Sequence, residues 1–215
     1  QPSYSFDLTV GDGTTTVTEG IVVNIADINE APEITTTTAS DYDENQDYTS
    51  NPIFDADATD QDTGDNITFS LGNSKDEDDL TIDSVSGEVS LKEDADFETK
   101  SSYEFDVIAT DDGTGLLSAT QPITVNIKDL NDDPVITSET GTVAAAVDEG
   151  NTVIYRAAAS DEDAGTTLTY SISGTDADKM TIDGSGVVTL NSAANFESQP
   201  SYSFDLTVGD GTTTV

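Results

Sequence analysis

The chain carries the same seventeen residues at its two ends. The segment QPSYSFDLTVGDGTTTV at positions 1–17 recurs unchanged at 199–215, which sets a repeat of 198 residues. A weaker repeat lies inside it: ADINEAPEI at 26–34 matches KDLNDDPVI at 128–136, and DFETKSSYEFDVIA at 96–109 matches NFESQPSYSFDLTV at 195–208. These offsets give a module of about 100 residues, the size of one β-sandwich domain. The sequence therefore predicts an array of similar modules.

Apolar residues alternate with polar ones in the repeated segments, as in half-buried strands. The alternating sets are Tyr103, Phe105 and Val107; Tyr202, Phe204, Leu206 and Val208; and Tyr4, Phe6, Leu8 and Val10. Other short runs are bounded by Gly, Asp, Asn and Ser, and no long helical stripe competes with them. We therefore predict an all-β fold of tandem seven-stranded Greek-key β-sandwiches.

Two prolines mark the module boundaries, because Pro32 and Pro134 each follow an acidic segment. They divide the chain into the C-terminal half of one module (1–31), a complete module (32–133) and a module that lacks its last strand (134–215). Residues 18–31 continue the sequence that breaks off at Val215. We therefore expect either head-to-tail self-association, in which this segment completes the sandwich of another copy, or a frayed arm.

The charge is strongly negative, with 44 Asp plus Glu against six Lys plus Arg and a net charge of -38. Such a chain is a poor partner for nucleic acid or anionic membranes, which require basic residues. No apolar run is long enough for a membrane span, so we expect no direct membrane insertion. Composition alone leaves two interpretations open, a salt-adapted acidic surface or neutralisation by cations.

The sequence contains neither Cys nor His. This excludes thiolate and imidazole metal sites and catalytic triads with a histidine base. The ligands that remain are oxygens, which favour hard cations such as Ca²⁺.

The acids of the complete module form five groups: DEN at 43–45, ATDQD at 58–62, DFE at 96–98, ATDDG at 109–113 and DLND at 129–132. Together and in this order, they resemble the calcium motifs of cadherin-type repeats. The resemblance implies calcium ions held between the base of one module, the linker and the top of the next. One short loop of a sandwich cannot supply the six to eight oxygens that calcium takes.

The resemblance implies one complete ligand set and one partial set. The complete set is Glu44, Asp96, Glu98, Asp129, the Leu130 carbonyl, Asn131, Asp132, Asp161, Asp163 and Asp210. The partial set is Asp27, Asn29, Glu30, Asp60, Asp62 and Asp111, which we expect to bind fewer or weaker ions.

The sequence departs from the motifs at three positions. Glu30 stands where the linker motif has Asp, Asp133 where it has Asn, and Asn195 where DFE has its Asp. Asn195 would form a further half-site together with Glu149 and Glu197.

Near-identical repeats of this kind resemble the extender region of large bacterial RTX-type surface adhesins. That resemblance implies an extracellular, calcium-rigidified spacer on the cell surface, whose partners are neighbouring repeats and which projects a distal binding domain. Homophilic adhesion and a carbohydrate-binding module are the alternatives. An enzyme is not expected, because the clustered carboxylates are better explained as calcium ligands than as a convergent acid and base.

Overall fold

The computed structural model describes residues 2–73, 75–138 and 146–215, so Gln1, the first residue of the predicted repeat, lies outside the described part. The chain forms two compact units. The first comprises Gln1–Tyr42, Gln46–Ala95 and Ser102–Asn126, and the second comprises Asp43–Asn45, Asp96–Ser101 and Ile127–Val215.

The chain is built from short strands. From residue 3 to residue 128 they are β1 (Ser3–Gly11), β2 (Thr16–Asn24), β3 (Glu33–Ile34), β4 (Tyr42–Asp43), β5 (Phe54–Asp55), β6 (Ala58–Thr59), β7 (Thr68–Leu71), β8 (Leu80–Ile82), β9 (Glu88–Leu91), β10 (Ser102–Thr110) and β11 (Ser118–Lys128). They continue with β12 (Val135–Ile136), β13 (Val153–Arg156), β14 (Ala159–Ser160), β15 (Thr169–Ser173), β16 (Met180–Ile182), β17 (Val187–Leu190) and β18 (Asp205–Gly209). Two short 3₁₀ turns, Glu77–Asp79 and Ala177–Lys179, precede β8 and β16.

The middle of the chain forms a sandwich of one four-stranded and one three-stranded sheet. One sheet has the strand order β4-β11-β10-β7 and the other the order β5-β9-β8, while β3 pairs with β6. Phe105 on the first sheet meets Phe54 on the second edge to face, with ring centroids 6.0 Å apart. Tyr103, Phe105 and Val107 are buried, as their alternation predicts, and the all-β fold is confirmed.

The last sandwich repeats this plan with fewer paired residues. Its sheets have the orders β13-β17-β16 and β15-β18, with β12 paired to β14. Met180, Val188 and Leu190 form the buried core, and Tyr155 meets Phe204 at 6.1 Å between ring centroids.

One strand in this sandwich is shorter than its sequence pattern predicts. β18 begins at Asp205, so the expectation that Tyr202 and Phe204 lie in the strand is wrong. In the complete sandwich, β7 pairs only with Val107–Thr110, whereas β11 pairs with all of β10. Residues 201–204 correspond to the part of β10 that pairs with β11 alone, and no strand among the described residues pairs with them.

The first strands form an antiparallel hairpin. β1 and β2 pair from Ser3 opposite Asn24 to Gly11 opposite Thr16. Its turn is closed by Asp12, whose Oδ1 accepts hydrogen bonds from the main-chain N–H groups of Thr14 at 2.8 Å and Thr15 at 2.7 Å.

Within the described ranges, no helix has the length and apolar character needed to cross a membrane.

Candidate metal centre

The second unit contains every residue of the complete ligand set. Three of its segments carry the members that precede the last sandwich: the turn after β4 with Glu44, the turn before β10 with Asp96 and Glu98, and the linker after β11. The loops that carry Asp161 and Asp210 face this linker from the sandwich that follows. Distant parts of the sequence thus supply carboxylates to one place.

Glu44 organises this place from inside the protein. Its side chain is buried, with 1% of the residue exposed, which is rare for a carboxylate. Its two oxygens accept hydrogen bonds from the main-chain N–H groups of Phe97 at 2.6 Å and Leu130 at 2.7 Å. One side chain therefore ties the linker to the turn that carries Glu98.

Glu98 lies where two groups of carboxylates meet. Its oxygen lies within 4.8 Å of oxygens from Glu44 and Asp132, and also within 4.8 Å of oxygens from Asp129 and Asp163. Two oxygens on opposite sides of one calcium ion lie about 5 Å apart, because each Ca–O distance is about 2.3–2.6 Å. Both groups therefore have the spacing of calcium ligands.

Desolvation and the close approach of these carboxylates raise the pKa values of Glu98 and Asp129. Desolvation raises the pKa of Glu98, and the negative charges of Glu44, Asp129 and Asp132 raise it further. Desolvation also raises the pKa of Asp129, as do the charges of Asp163 and Glu44. A positive ion at this point would remove the repulsion that opposes ionisation.

The loop after β14 holds a buried carboxylate oxygen that makes no hydrogen bond. Asp161 Oδ1 accepts a hydrogen bond from the N–H of Asp163 at 3.0 Å, and Asp163 Oδ2 accepts one from the N–H of Asp132 at 2.9 Å. Asp161 Oδ2 is buried and makes no hydrogen bond. A buried, unpaired carboxylate oxygen is costly unless a cation balances it, so this atom fits a metal ligand.

The remaining members of the complete set are held outside the two groups. Asp96 accepts hydrogen bonds from the N–H and hydroxyl of Thr99 at 2.8 and 2.9 Å. Asn131 donates from Nδ2 to Asp210 Oδ2 at 2.9 Å. Hydrogen bonds from the N–H of Thr213 and the side chain of Asn131 lower the pKa of Asp210. Leu130 donates its N–H to Glu44, as described above.

The linker in the first unit repeats the contacts that the second unit makes between its linker and the loops of Asp161 and Asp210. Asn29 donates from Nδ2 to Asp111 Oδ2 at 3.1 Å, and the N–H of Glu30 donates to Asp62 Oδ2 at 2.8 Å. The N–H of Asp62 donates to Asp60 Oδ1 at 2.8 Å, and Asp60 Oδ2 is buried without a partner. These contacts match those of Asn131, Asp132, Asp163 and Asp161.

The linker in the first unit also brings several carboxylates close together, but the partial set has no counterparts of Glu44, Asp96 and Glu98. Desolvation raises the pKa of Glu30, as do the charges of Asp62, Asp27 and Asp60. The carboxylate groups with oxygens within 4.8 Å of one another all belong to the second unit, as far as the described residues show.

Two residues beside these sites were missed at the level of sequence. Asn45, next to Glu44, donates from Nδ2 to Asp132 Oδ1 at 2.9 Å and has a φ of 59°. Asn tolerates such left-handed conformations, which is the only signal that the sequence offered. Asp65 has a raised pKa, caused by desolvation and by the charges of Asp62 and Asp112. Because Asp65 lies in a turn-like segment, TGDN, the sequence did not show that it is close to these carboxylates.

Comparisons with known proteins match this chain to cadherins. Residues 39–128 match the family model described as Cadherin domain. The Cadherin EGF LAG seven-pass G-type receptor 2 of Mus musculus is 32% identical over 163 residues, which cover 72% of this chain and 6% of that protein. The chain therefore spans only a small part of this relative.

Two solved structures share the fold. Mouse cadherin-23 EC22-24 has a TM-score of 0.64 at 21% identity, over 97% of this chain and 69% of the other. The protocadherin gammaB7 EC3-6 cis-dimer structure has a TM-score of 0.60 at 22% identity, over 98% of this chain and 56% of the other. Residues 39–128 thus match the model of the cadherin domain, a class of domain with adhesive or structural roles and not an enzyme class, and the chain has a cadherin-like all-β fold.

Proposed function

We propose that this chain is a calcium-rigidified spacer of a cell-surface adhesin, of the bacterial RTX type, that projects a distal binding domain. The observation that carries the proposal is the pair of carboxylate groups that share Glu98. The unpartnered buried oxygen of Asp161 supports it independently. The assignment to an RTX-type host rests on the resemblance of the near-identical repeats.

The donor set suits calcium. It consists of carboxylate, amide and main-chain oxygens, and the sequence has no Cys or His to favour a softer metal. Glu44, Glu98, Asp129 and Asp132, together with Asp161 and Asp163 from the following sandwich, would hold the ions. Calcium supplies the positive charge that lets these carboxylates stay close together.

The protein's own residues transmit this effect to the linker. Without cations, the carboxylates repel one another, and the linker is held by single hydrogen bonds such as Leu130 N–H to Glu44. When the carboxylates are neutralised, the linker is fixed both to the turn that carries Glu98 and to the loop that carries Asp163. Repeated along an array, such fixed linkers make a stiff spacer.

The expected affinity also indicates where the protein works. Extracellular modules bind calcium with dissociation constants of about 10⁻⁴–10⁻³ M, far above cytosolic calcium concentrations. The cadherin relatives are extracellular or cell-surface proteins, which supports the same location for this chain.

The test is calcium uptake by the wild-type chain and by Asp161→Asn, measured by titration calorimetry with magnesium as a parallel titrant. We expect calcium to bind and magnesium to bind far more weakly, because magnesium demands a small octahedral site. Asp161→Asn should weaken calcium uptake, whereas Asp178→Asn, an exposed acid of the same sandwich, should not. The proposal fails if wild type takes up no calcium at millimolar concentrations. If calcium binds, small-angle scattering should show a longer maximum dimension in calcium than in chelator.

A carbohydrate-binding function has weaker support. Sugar sites generally use exposed aromatic side chains. Tyr4, Phe6 and Phe196 are exposed, but each matches a residue of the complete sandwich that is more deeply buried: Tyr103, Phe105 and Phe97. Their positions are therefore those of core residues and not of a sugar platform.

A further inference from the structure

The turn after β4 places a side-chain amide beside the carboxylates of the second unit. This amide belongs to Asn45, which follows Glu44 in the chain. The side chain of Glu44 is buried and accepts hydrogen bonds from two main-chain N–H groups. The N–H of Glu44 also donates to the carbonyl of Lys128 at 3.2 Å. Asn45 is therefore attached to a residue whose own position is fixed on both its main chain and its side chain.

The backbone of this turn does not by itself require an asparagine. Asn45 has a φ of 59°, in the left-handed region that glycine adopts without steric cost. The matching turn of the last sandwich, DEG at 148–150, has glycine at this position, and Gly150 has a φ of 89°. Because glycine satisfies the same turn elsewhere in this chain, the side chain of Asn45 needs another explanation.

Asn45 fixes the carboxylate of Asp132. Its Nδ2 donates to Asp132 Oδ1 at 2.9 Å, and the amide must point this way because an ionised carboxylate only accepts hydrogen bonds. The main chain of Asp132 is held separately: its N–H donates to Asp163 Oδ2 at 2.9 Å, and its carbonyl accepts from Asn131 Nδ2 at 2.8 Å. Among the described residues, the contact from Asn45 is the only hydrogen bond to the Asp132 side chain.

This contact acts on one of the two carboxylate groups. Glu44, Glu98 and Asp132 have oxygens within 4.8 Å of one another. Like charges at such distances repel, so a partly exposed carboxylate without a cation is driven towards water. A hydrogen-bond donor on Asp132 Oδ1 opposes that rotation without adding a charge. The carboxylate therefore stays in its group before any ion arrives.

The strength of this hydrogen bond favours a role in binding over a role in folding. The bond is exposed to solvent, where water replaces a lost partner, so its removal costs little folding stability. Residues that orient metal ligands without touching the metal have a larger effect on binding. Their replacement typically weakens metal affinity about 10–100-fold.

We propose that Asn45 is a positioning residue for calcium, which holds Asp132 in the orientation that the group of Glu44, Glu98 and Asp132 requires. This inference rests on the proposed function. Asn45 is not itself a ligand in this scheme. It lowers the cost of binding, because a carboxylate that is already oriented loses less freedom when the ion binds.

The experiment compares wild type with Asn45→Gly, which removes the amide and keeps the left-handed turn. Calcium titration calorimetry should show an affinity about tenfold weaker for the variant, at the lower end of the range for such residues because the contact is exposed. Thermal melting in chelator should change little. In chelator, NMR couplings should report one χ1 rotamer of Asp132 in wild type and several in Asn45→Gly.

Asn191→Ala is the matched control. Asn191 is an exposed residue of the same unit, and its Nδ2 donates to the carbonyl of Asp178 at 3.0 Å. Its replacement removes an amide hydrogen bond of similar length that does not involve the carboxylate groups. Calcium affinity and the rotamer of Asp132 should therefore be those of wild type.

The outcomes separate this inference from the proposed function. If wild type takes up calcium and Asn45→Gly binds it equally well, the positioning role is overturned and the spacer function stands. Several Asp132 rotamers in wild type, or an equal loss of affinity for Asn191→Ala, would also overturn the positioning role alone. If wild type takes up no calcium, both proposals are overturned.

Discussion

Replacing Glu98 by Gln should remove much of the stabilisation that we expect calcium to give to the second unit. Glu98 contributes to both carboxylate groups, so one substitution removes one charge and one strong ligand from two ion positions. Calcium at 100 times its dissociation constant adds about 2.7 kcal/mol per site, or about 5 kcal/mol for two sites. An affinity tenfold weaker at each site lowers this total by about 2.7 kcal/mol.

This loss is large on the scale of the unit. The second unit has about 100 residues, for which each kcal/mol shifts the melting temperature by about 4–8 °C. Glu98→Gln should therefore reduce the calcium-induced rise in melting temperature by about 10–20 °C. In chelator, the substitution should be neutral or stabilising, because it removes repulsion that also raises the pKa of Glu98.

The assay is calorimetric melting of wild type and variants in calcium and in chelator. Glu162→Gln is the matched control, because Glu162 is an exposed acid between Asp161 and Asp163 and belongs to neither carboxylate group. If both variants lose the same calcium-induced shift, Glu98 has no special role and the assignment of ions to these groups is refuted.

Two further predictions concern the last sandwich. The pKa of Asp176 is lowered by hydrogen bonds from Lys179 Nζ and the main chain, so its contribution to stability is present above pH 3.8 and is lost as pH falls through its folded pKa. Asp176→Asn should thus lower the melting temperature near neutral pH and have less effect at pH values well below 3.8, as a pH series of thermal melts would show. Gly186 has a φ of 76°, and a Cβ there would lie 2.5 Å from a main-chain oxygen; Gly186→Ala should cost about 2 kcal/mol or more by urea unfolding. Gly184→Ala, two residues away with open space around it, should cost little, and equal costs would contradict the steric explanation.

Much of the fold was readable in the sequence because strand patterns are local. The alternation of Tyr103, Phe105 and Val107 predicted their common buried face, which the structure confirms. The same pattern at Tyr202 and Phe204 was misleading. Alternation predicts which face of a strand a residue would occupy. A strand also needs a neighbouring strand with which its main chain can form hydrogen bonds.

The candidate site was predictable in its residue types and less so in its geometry. The order of the acidic motifs along the chain predicted which residues would form the candidate site. Whether Asp96 turns towards Thr99 or towards Glu98 depends on which hydrogen bond is available after folding, and the structure has it on Thr99. The part played by Asn45 was hidden for the same reason.

By itself, the sequence determined the repeat spacing, the strand periodicity and the lack of Cys and His as possible metal ligands, since each depends on residue identity and short spacing. Only the tertiary structure decided that Glu44 is buried between the linker and the Glu98 turn and that two carboxylate groups share Glu98. These features depend on which distant segments meet, and that is settled by pairing and packing across the whole unit.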